Sequence, residues 1–292
     1  MRVSLFHNSK AGDSTSLSWI RELIETSGHE LVRVFDREAA FGELVDQHTE
    51  LLVAAGGDGT VAAAARLLAG RTIPLAVLPL GTANNIARAL QGNPTSEHLV
   101  ACWDTAERRR IDLGMARGHW GERRFVEAVG VGLVPASIVS TRFEPLEGDD
   151  VPSNISSAIL RYLEVLSRFE PRRWNLRVDG EEMMGDFIAV EVMNIRSVGP
   201  NLVLCDDADP GDGDFCMVTV GEGERDALRH YLRERMNGED SRVVLPARRV
   251  RHVELHGRGD THIDDEVMRS SIPGTVSIGI EAAAVEVLVC AH

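Results

Sequence analysis

The sequence predicts an α/β domain with parallel strands, followed by a domain built mainly of strands. In the first 115 residues, short apolar runs of strand length alternate with longer segments of helical composition. Two of these strands pass into the next helix through glycine-containing turns. After residue 115, short strand-like runs separated by turn residues predominate, which is typical of a β sandwich or barrel.

The first domain alternates strands and helices in chain order, which implies parallel strands joined by crossover helices. The predicted segments are strand 2–6, helix 15–27, strand 31–35, helix 38–47, strand 51–55, helix 60–69, strand 75–79 and helix 84–91. In the second domain, an amphipathic helix is predicted over 156–166. The strands predicted after it cover 174–180, 187–192, 215–220, 250–255 and 275–280.

Composition restricts the class of protein. The 292 residues suffice for two domains that each bury a core, and 43% hydrophobic with 26% charged residues is typical of a soluble globular protein. The net charge of −14 argues against nucleic acid as a partner. No apolar run approaches the ~20 residues of a membrane helix. The polar opening segment predicts no signal peptide, so we expect a cytoplasmic protein.

The four cysteines give no sign of pairing in the sequence. Cys102, Cys205, Cys216 and Cys290 are scattered and show no paired spacing. Such a distribution favours reduced thiols over a disulfide framework or a zinc site.

A glycine-rich turn joins the third predicted strand to the following helix. Its residues are Gly56, Gly57, Asp58, Gly59 and Thr60. Glycine lets a bulky anion approach the backbone, and the free N–H groups at a helix start attract phosphate. Thr60 is suited to cap the helix, whereas a carboxylate at Asp58 suits an anion site when a divalent cation joins it to the phosphates. The alternative is a tight turn whose glycines only relieve strain.

A second turn of the same kind follows the strand over 75–79. It contains Gly81, Thr82 and Asn84 and again leads into a helix. Two such turns in one parallel sheet lie at its carboxyl edge, where open α/β sheets bind ligands. Together the turns predict a ligand site at this edge.

Five motifs run in order along nearly the whole chain. They are Gly-Gly-Asp-Gly-Thr at 56–60, Pro-Leu-Gly-Thr-Ala-Asn at 79–84, Ile-Asp-Leu-Gly at 111–114, Asp-Pro-Gly-Asp-Gly at 209–213 and Ile-Asp-Asp-Glu at 263–266. Through these motifs the chain resembles the diacylglycerol kinase catalytic family, which includes bacterial lipid kinases and sphingosine kinases.

The resemblance implies a two-domain organisation with the active site in the cleft between the domains. The first domain, over 1–115, would be a Rossmann-like, parallel α/β nucleotide-binding domain, to which 284–292 would return. The second, over 116–283, would be a β sandwich that binds the lipid substrate.

The resemblance also implies that ATP and Mg²⁺ bind to the first domain. The positions that match the family's nucleotide contacts are Asn8, Ser9, Lys10, Gly12, Gly56, Gly57, Asp58, Gly59, Thr60, Gly81, Thr82 and Asn84. Asp58 and Asp112 match carboxylates that hold the catalytic Mg²⁺. Ser9 stands where the family has a proline, and an ordinary surface residue is an equal alternative for Lys10.

The turn at 264–266 matches the family's Asp-Gly-Glu turn. The resemblance implies that Glu266 is the general base for the substrate alcohol and that Asp264 supports it. The middle glycine is replaced by Asp265, a residue type that tolerates a positive φ better than most. The alternative is an acidic surface turn.

The acidic loop over 207–214 corresponds to a structural Mg²⁺ site of the family. Asp212 is the implied side-chain ligand, and Asp209 and Asp214 would offer carbonyl oxygens. Oxygen ligands suit Mg²⁺ or Ca²⁺ and not zinc. The region of Cys216 is where relatives often carry another aspartate, and a solvated acidic loop is the alternative.

These features predict an ATP-dependent, Mg²⁺-requiring kinase for the hydroxyl of diacylglycerol or a related lipid alcohol. One alternative is an NAD-kinase-like phosphotransferase, although the turn at 81–84 fits the lipid kinases better. Another is a nucleotide-binding regulatory protein that has lost catalysis, because Asn85, Asp265 and Cys216 depart from the common pattern. Any membrane contact would be peripheral, transient and largely apolar, and an exposed edge strand would offer a homodimer contact.

Overall fold

The computed structural model describes residues 1–7, 16–36, 48–143 and 155–290. These residues form two compact units, Met1–Leu113 with Ala282–His292, and Gly114–Glu281. The helix predicted over 38–47 lies outside the described residues, as do the predicted nucleotide contacts Asn8, Ser9, Lys10 and Gly12.

The first unit alternates strands and helices. Its described elements are β1 (Arg2–His7), α1 (Leu17–Thr26), β2 (Glu30–Asp36), β3 (Leu51–Gly56), α2 (Asp58–Leu68), β4 (Leu75–Pro79), α3 (Asn85–Gln91), α4 (Ser96–Cys102) and the start of β5 (Glu107–Gly118). Each strand and helix predicted among the described residues of this unit is present; β4 has its predicted bounds, and the ends of the others differ by at most two residues.

The second unit contains the remaining elements. They are β6 (Gly121–Phe125), β7 (Ala128–Gly132), α5 (Leu133–Phe143), α6 (Ile155–Arg168), β8 (Arg172–Val178), β9 (Glu181–Phe187), β10 (Ala189–Met193), β11 (Ser197–Val198), β12 (Leu202–Val203), β13 (Phe215–Val220), α7 (Arg225–Met236), β14 (Ala247–Val250), β15 (Val253–Gly257), β16 (Thr261–Ile263), β17 (Glu266–Met268) and β18 (Gly274–Val289), whose last residues belong to the first unit.

A parallel sheet forms the centre of the first unit. Its strands lie in the order β2-β1-β3-β4, and β18 adds to β4 where Val287 pairs with Leu75. Every residue of β3 is buried, as expected for a central strand of such a sheet. On one face Ile20 and Ile24, four residues apart on α1, pack into the core, and the Ser16 hydroxyl caps the start of this helix.

The second unit is a β sandwich with helices on one face, so the predicted fold class is confirmed. One layer is an antiparallel sheet in the order β14-β13-β10-β7-β16-β17. Val190 and Val192 of β10 pack in one core with residues of β8, β15 and β18. Ala189 and Met193 point to the other face and share a second core with α5, α6 and α7.

Helices α5 and α7 are absent from the sequence prediction. In α7 the buried residues are Leu228, Tyr231 and Leu232, which are spaced three and four residues apart. This spacing is typical of an amphipathic helix, so α7 could have been predicted from the sequence. Among the described residues, no helix is both long and apolar enough to cross a membrane.

The expectation of reduced thiols is wrong for this structure. Cys102 is bonded to Cys290, and Cys205 is bonded to Cys216. The first pair is 188 residues apart in sequence, so only the fold brings its members together. The second pair closes a loop between residues 11 apart.

Removing the disulfide between Cys205 and Cys216, which closes the shorter loop, tests this pairing. We expect Cys205→Ser to lower the free energy of unfolding of the second unit by about 2–4 kcal/mol, because the unfolded chain loses a covalent constraint. Urea unfolding followed by fluorescence measures this. Cys216→Ser breaks the same bond and should lose the same increment; a variant as stable as the oxidised wild type would contradict the pairing.

Candidate functional site

The first glycine turn places a helix start directly after β3. Helix α2 begins at Asp58, and Gly57 is its N-cap with an extended backbone. Thr60 is therefore not the cap that the sequence suggests; it lies within the first turn, 2% exposed. A Cβ on Gly56 would lie 2.5 Å from the Thr60 hydroxyl oxygen, so the packing of Thr60 requires glycine at position 56.

The second glycine turn packs against the first. The Leu80 N–H donates to the Gly56 carbonyl at 3.0 Å. A Cβ on Gly81 would lie 2.4 Å from the Gly57 Cα, so a side chain there would overlap the other turn. The structure thus brings both predicted turns to one edge of the sheet.

Asn84 fixes the shape of the second turn. Its backbone is left-handed at φ 52°, a conformation that asparagine adopts more readily than most residues. The side-chain oxygen accepts from the Gly81 N–H at 2.9 Å, and the side-chain amide donates to the Gly81 carbonyl at 2.7 Å. Thr82 is exposed at the tip of the turn.

Asp58 and Asp112 are held by backbone N–H groups of the first unit. The Asp58 carboxylate accepts from Ile86 N–H at 2.9 Å, and so links the start of α2 to the first turn of α3. Asp112 is 3% exposed on β5 and accepts from Ala283 N–H at 2.7 Å. Both carboxylates are therefore fixed in orientation before any ligand binds.

The oxygens of the Asp58 and Asp112 carboxylates are the donor type that Mg²⁺ prefers. Among the described residues, no group of three or more histidines, cysteines, aspartates or glutamates is placed to hold a metal ion. A Mg²⁺ ion held by Asp58 or Asp112 would draw its other ligands from nucleotide phosphates and water, as this ion commonly does.

The acidic turn at 264–265 joins β16 to β17 in the second unit. Ile263 pairs with Glu266, so the turn has two residues. Of these two, only Asp264 has a positive φ, at 50°. The aspartate at position 265, where the family has glycine, is therefore free of left-handed strain. Glu266 is exposed at the start of β17.

The Asp264 carboxylate anchors this turn to the segment before β7. It accepts from Val126 N–H at 3.1 Å and from Glu127 N–H at 2.8 Å. The Asp264 N–H in turn donates to the Ala128 carbonyl at 2.9 Å. Asp264 is 6% exposed, so its position next to Glu266 is rigidly defined.

Behind the turn lies a buried ionisable pair that the sequence analysis missed. Glu191 of β10 and His262 of β16 are the neighbours of Gly130 on the two sides of β7. The Glu191 carboxylate crosses over Gly130 and contacts His262 Nε2 at 2.6 Å, and both side chains are fully buried. A Cβ at Gly130 would lie 2.1 Å from that carboxylate, so the pair requires glycine there. Its two members come from strands on either side of β7, and no local motif marks them.

The pair also reaches the acidic turn. His262 Nδ1 lies 2.9 Å from the Asp264 carbonyl oxygen, so the imidazole bridges the buried carboxylate and the turn. Burial opposes the charge on His262, but the Glu191 carboxylate outweighs this and raises the pKa of His262. Burial raises the pKa of Glu191, and His262 opposes that rise. Because both groups hold their protons more tightly in the folded protein, the free energy of unfolding falls as pH rises from their unfolded-state pKa values to their folded-state values.

The carboxylates of the predicted metal loop contact arginine. Asp212 pairs with Arg249 at 2.7 Å, and Asp214 pairs with Arg249 at 2.8 Å and with Arg251 at 2.6 Å. Hydrogen bonds from Arg251 and Arg249 lower the pKa of Asp214. One Asp209 oxygen accepts from Gly211 N–H at 2.9 Å.

Comparisons with known protein families cover both units. Residues 2–116 match the family described as the diacylglycerol kinase catalytic domain. Residues 152–289 match the YegS C-terminal NAD kinase beta sandwich-like domain.

Relatives of known name align with about two thirds of the chain. A diacylglycerol kinase of Mycobacterium tuberculosis is 31% identical over 197 residues, which is 65% of this chain and 60% of the relative. A diacylglycerol kinase of Bacillus subtilis is 30% identical over 207 residues, 67% of this chain and 63% of the relative. The chain thus spans about three fifths of the length of these relatives.

Solved structures share the fold. A diacylglycerol kinase from Bacillus anthracis superposes with a TM-score of 0.69 at 19% identity, covering 98% of this chain and 96% of that one. At this identity the likeness concerns the fold alone.

The glycine contact can be tested by adding one methyl group. Gly81→Ala should lower the stability of the first unit by about 1–3 kcal/mol, because the new Cβ would overlap Gly57 and force the turns apart. Denaturant unfolding measures the loss. Gly223→Ala is the control, since a Cβ there meets nothing within 4 Å. Equal stability of the two variants would show that the turns do not touch.

The buried pair predicts an altered histidine titration. In Glu191→Gln the pKa of His262 should fall, because burial then acts without the neighbouring carboxylate. NMR titration of the histidine Cε1–H signals measures this shift. Glu254→Gln, which removes a partly exposed carboxylate, should leave the His262 titration as in the wild type. An unchanged His262 curve in Glu191→Gln would contradict the pairing.

Proposed function

We propose that this chain transfers the γ-phosphoryl group of ATP to the hydroxyl of a lipid alcohol, because residues 2–116 match the diacylglycerol kinase catalytic domain family. Diacylglycerol or a related lipid is the proposed acceptor class, in keeping with the names of the relatives. The observation that carries the proposal is the contact between the two glycine turns at the edge of the parallel sheet.

The glycine turns suit the phosphates of a nucleotide. The two glycine turns meet at Gly57 and Gly81, and α2 begins directly after Gly57. Backbone N–H groups at the start of this helix would bind phosphate oxygens. Asp58 and Asp112 would hold Mg²⁺, which neutralises charge on the phosphates when bound. Asn8, Ser9, Lys10 and Gly12 remain proposed nucleotide contacts.

Glu266 is the proposed general base. Its carboxylate would accept the proton of the acceptor hydroxyl as that oxygen bonds to the γ-phosphorus, while the bond from this phosphorus to the bridging oxygen breaks and ADP leaves. Asp264 would act by positioning, because its carboxylate ties the turn to Val126 and Glu127. Membrane contact during turnover and a homodimer remain predictions.

Transfer of labelled phosphate tests the proposal. The protein is incubated with Mg²⁺ and γ-labelled ATP, and with diacylglycerol, a sphingoid base or phosphatidylglycerol in mixed micelles, or with NAD in solution. We expect label in one lipid. In Glu266→Gln we expect kcat to fall by about 10²–10⁴-fold, because proton transfer is lost, while ATP binding persists.

The neighbouring residue provides the matched control. Asp265→Asn removes one charge from the same exposed turn and should leave kcat close to that of the wild type. Label in NAD alone would favour an NAD-kinase-like activity instead. ATP binding without transfer to any acceptor would favour the regulatory alternative and overturn the proposed kinase.

A further inference from the structure

The acidic loop closed by the disulfide of Cys205 and Cys216 is where the family resemblance implies a structural Mg²⁺ ion. The loop carries five carboxylates, those of Asp206, Asp207, Asp209, Asp212 and Asp214. A divalent ion would need several of their oxygens, because Mg²⁺ and Ca²⁺ take six or more oxygen ligands. The described contacts of these oxygens decide whether the loop fits such an ion.

Arginine side chains form hydrogen-bonded ion pairs with the carboxylates at the end of the loop. Arg249 lies opposite Cys216 in the pairing of β13 with β14 and faces the loop from the neighbouring strand. Its guanidinium donates to Asp212 Oδ2 at 2.7 Å and to Asp214 Oδ2 at 2.8 and 3.1 Å. Arg251 donates to the other Asp214 oxygen at 2.6 Å.

The remaining oxygen of Asp212 also has a partner within the loop. Asp212 Oδ1 accepts from Asp214 N–H at 3.0 Å, so all four carboxylate oxygens of these two residues are in hydrogen bonds. At the start of the loop, Arg242 pairs with Asp206 at 3.2 Å. Three arginines therefore balance charge that a cation would otherwise balance.

Geometry and charge both act against a metal ion here. A guanidinium is a planar fork that binds two carboxylates at once, as Arg249 does. A divalent ion at the same oxygens would have to displace the hydrogen bonds of Arg249 and Arg251 and would lie beside their positive charges. The residues present do not fit the structural Mg²⁺ of the family.

We infer that Arg249 and Arg251 take the place of the structural divalent cation in this chain, so that the acidic loop keeps its conformation without metal. This inference concerns the stability of the second unit and does not depend on the proposed kinase activity. Any requirement for Mg²⁺ would then come from the proposed nucleotide site.

Thermal unfolding without nucleotide tests the inference. The chain is stripped with EDTA, and its Tm is compared in EDTA, in 10 mM MgCl₂ or CaCl₂, and in NaCl of equal ionic strength. We expect the same Tm in all conditions. A site occupied at 100 times its Kd would instead raise Tm by roughly 5–10 °C.

Replacing the arginines should restore a response to metal. Arg249→Gln with Arg251→Gln leaves Asp212 and Asp214 without their cations, so we expect a lower Tm in EDTA and a rise on adding Mg²⁺ or Ca²⁺. Arg248→Gln is the matched control: it removes a charge from the same strand, but one that pairs with Glu181, and it should gain no such response.

One result would overturn the inference even if the double variant failed to fold. This is a rise of the wild-type Tm with Mg²⁺ that persists in Asp58→Asn and disappears in Asp212→Asn. Such a pattern would assign a metal site to the acidic loop. A rise that disappears in Asp58→Asn would belong to the proposed nucleotide site and would leave the inference standing.

Discussion

Gly130 leaves a gap on one face of the six-stranded sheet, and the Glu191 carboxylate crosses this gap to reach His262. A charged group without contact to water is stable only when it is paired, so this arrangement constrains every element around it. The His262 imidazole also contacts the Asp264 carbonyl oxygen. The Asp264 carboxylate in turn accepts hydrogen bonds from the Val126 and Glu127 N–H groups. The acidic turn that carries Glu266 is therefore supported by the interior of the sheet.

In the first unit, too, the absence of a side chain at a glycine allows close packing, here between two backbone turns. A Cβ on Gly81 would lie 2.4 Å from the Gly57 Cα, so the second turn has no room for a side chain where it meets the first. Asp58 and Asn84 then hold the two turns by hydrogen bonds to backbone N–H groups. In both units a missing side chain allows a polar contact that a Cβ would prevent.

Sequence patterns predicted the features that depend on neighbouring residues. The alternation of strands and helices, and the glycine turns at 56–60 and 79–84, follow from local composition and periodicity. The buried pair of Glu191 and His262 could not be predicted, because its members meet only through the pairing of three strands. The arginine partners of Asp212 and Asp214 were missed for the same reason: Arg249 and Arg251 lie more than 30 residues further along the chain.

The bond between Cys102 and Cys290 has a topological consequence. It joins α4 to the end of β18 and so closes the chain into a covalent ring that includes all of Gly114–Glu281. In sequence, the second unit is thus an insertion into the first, and the crosslink joins the two parts of the first unit that flank it. A protease that cut the backbone once inside the ring would leave the two pieces joined on a non-reducing gel, and reduction would separate them.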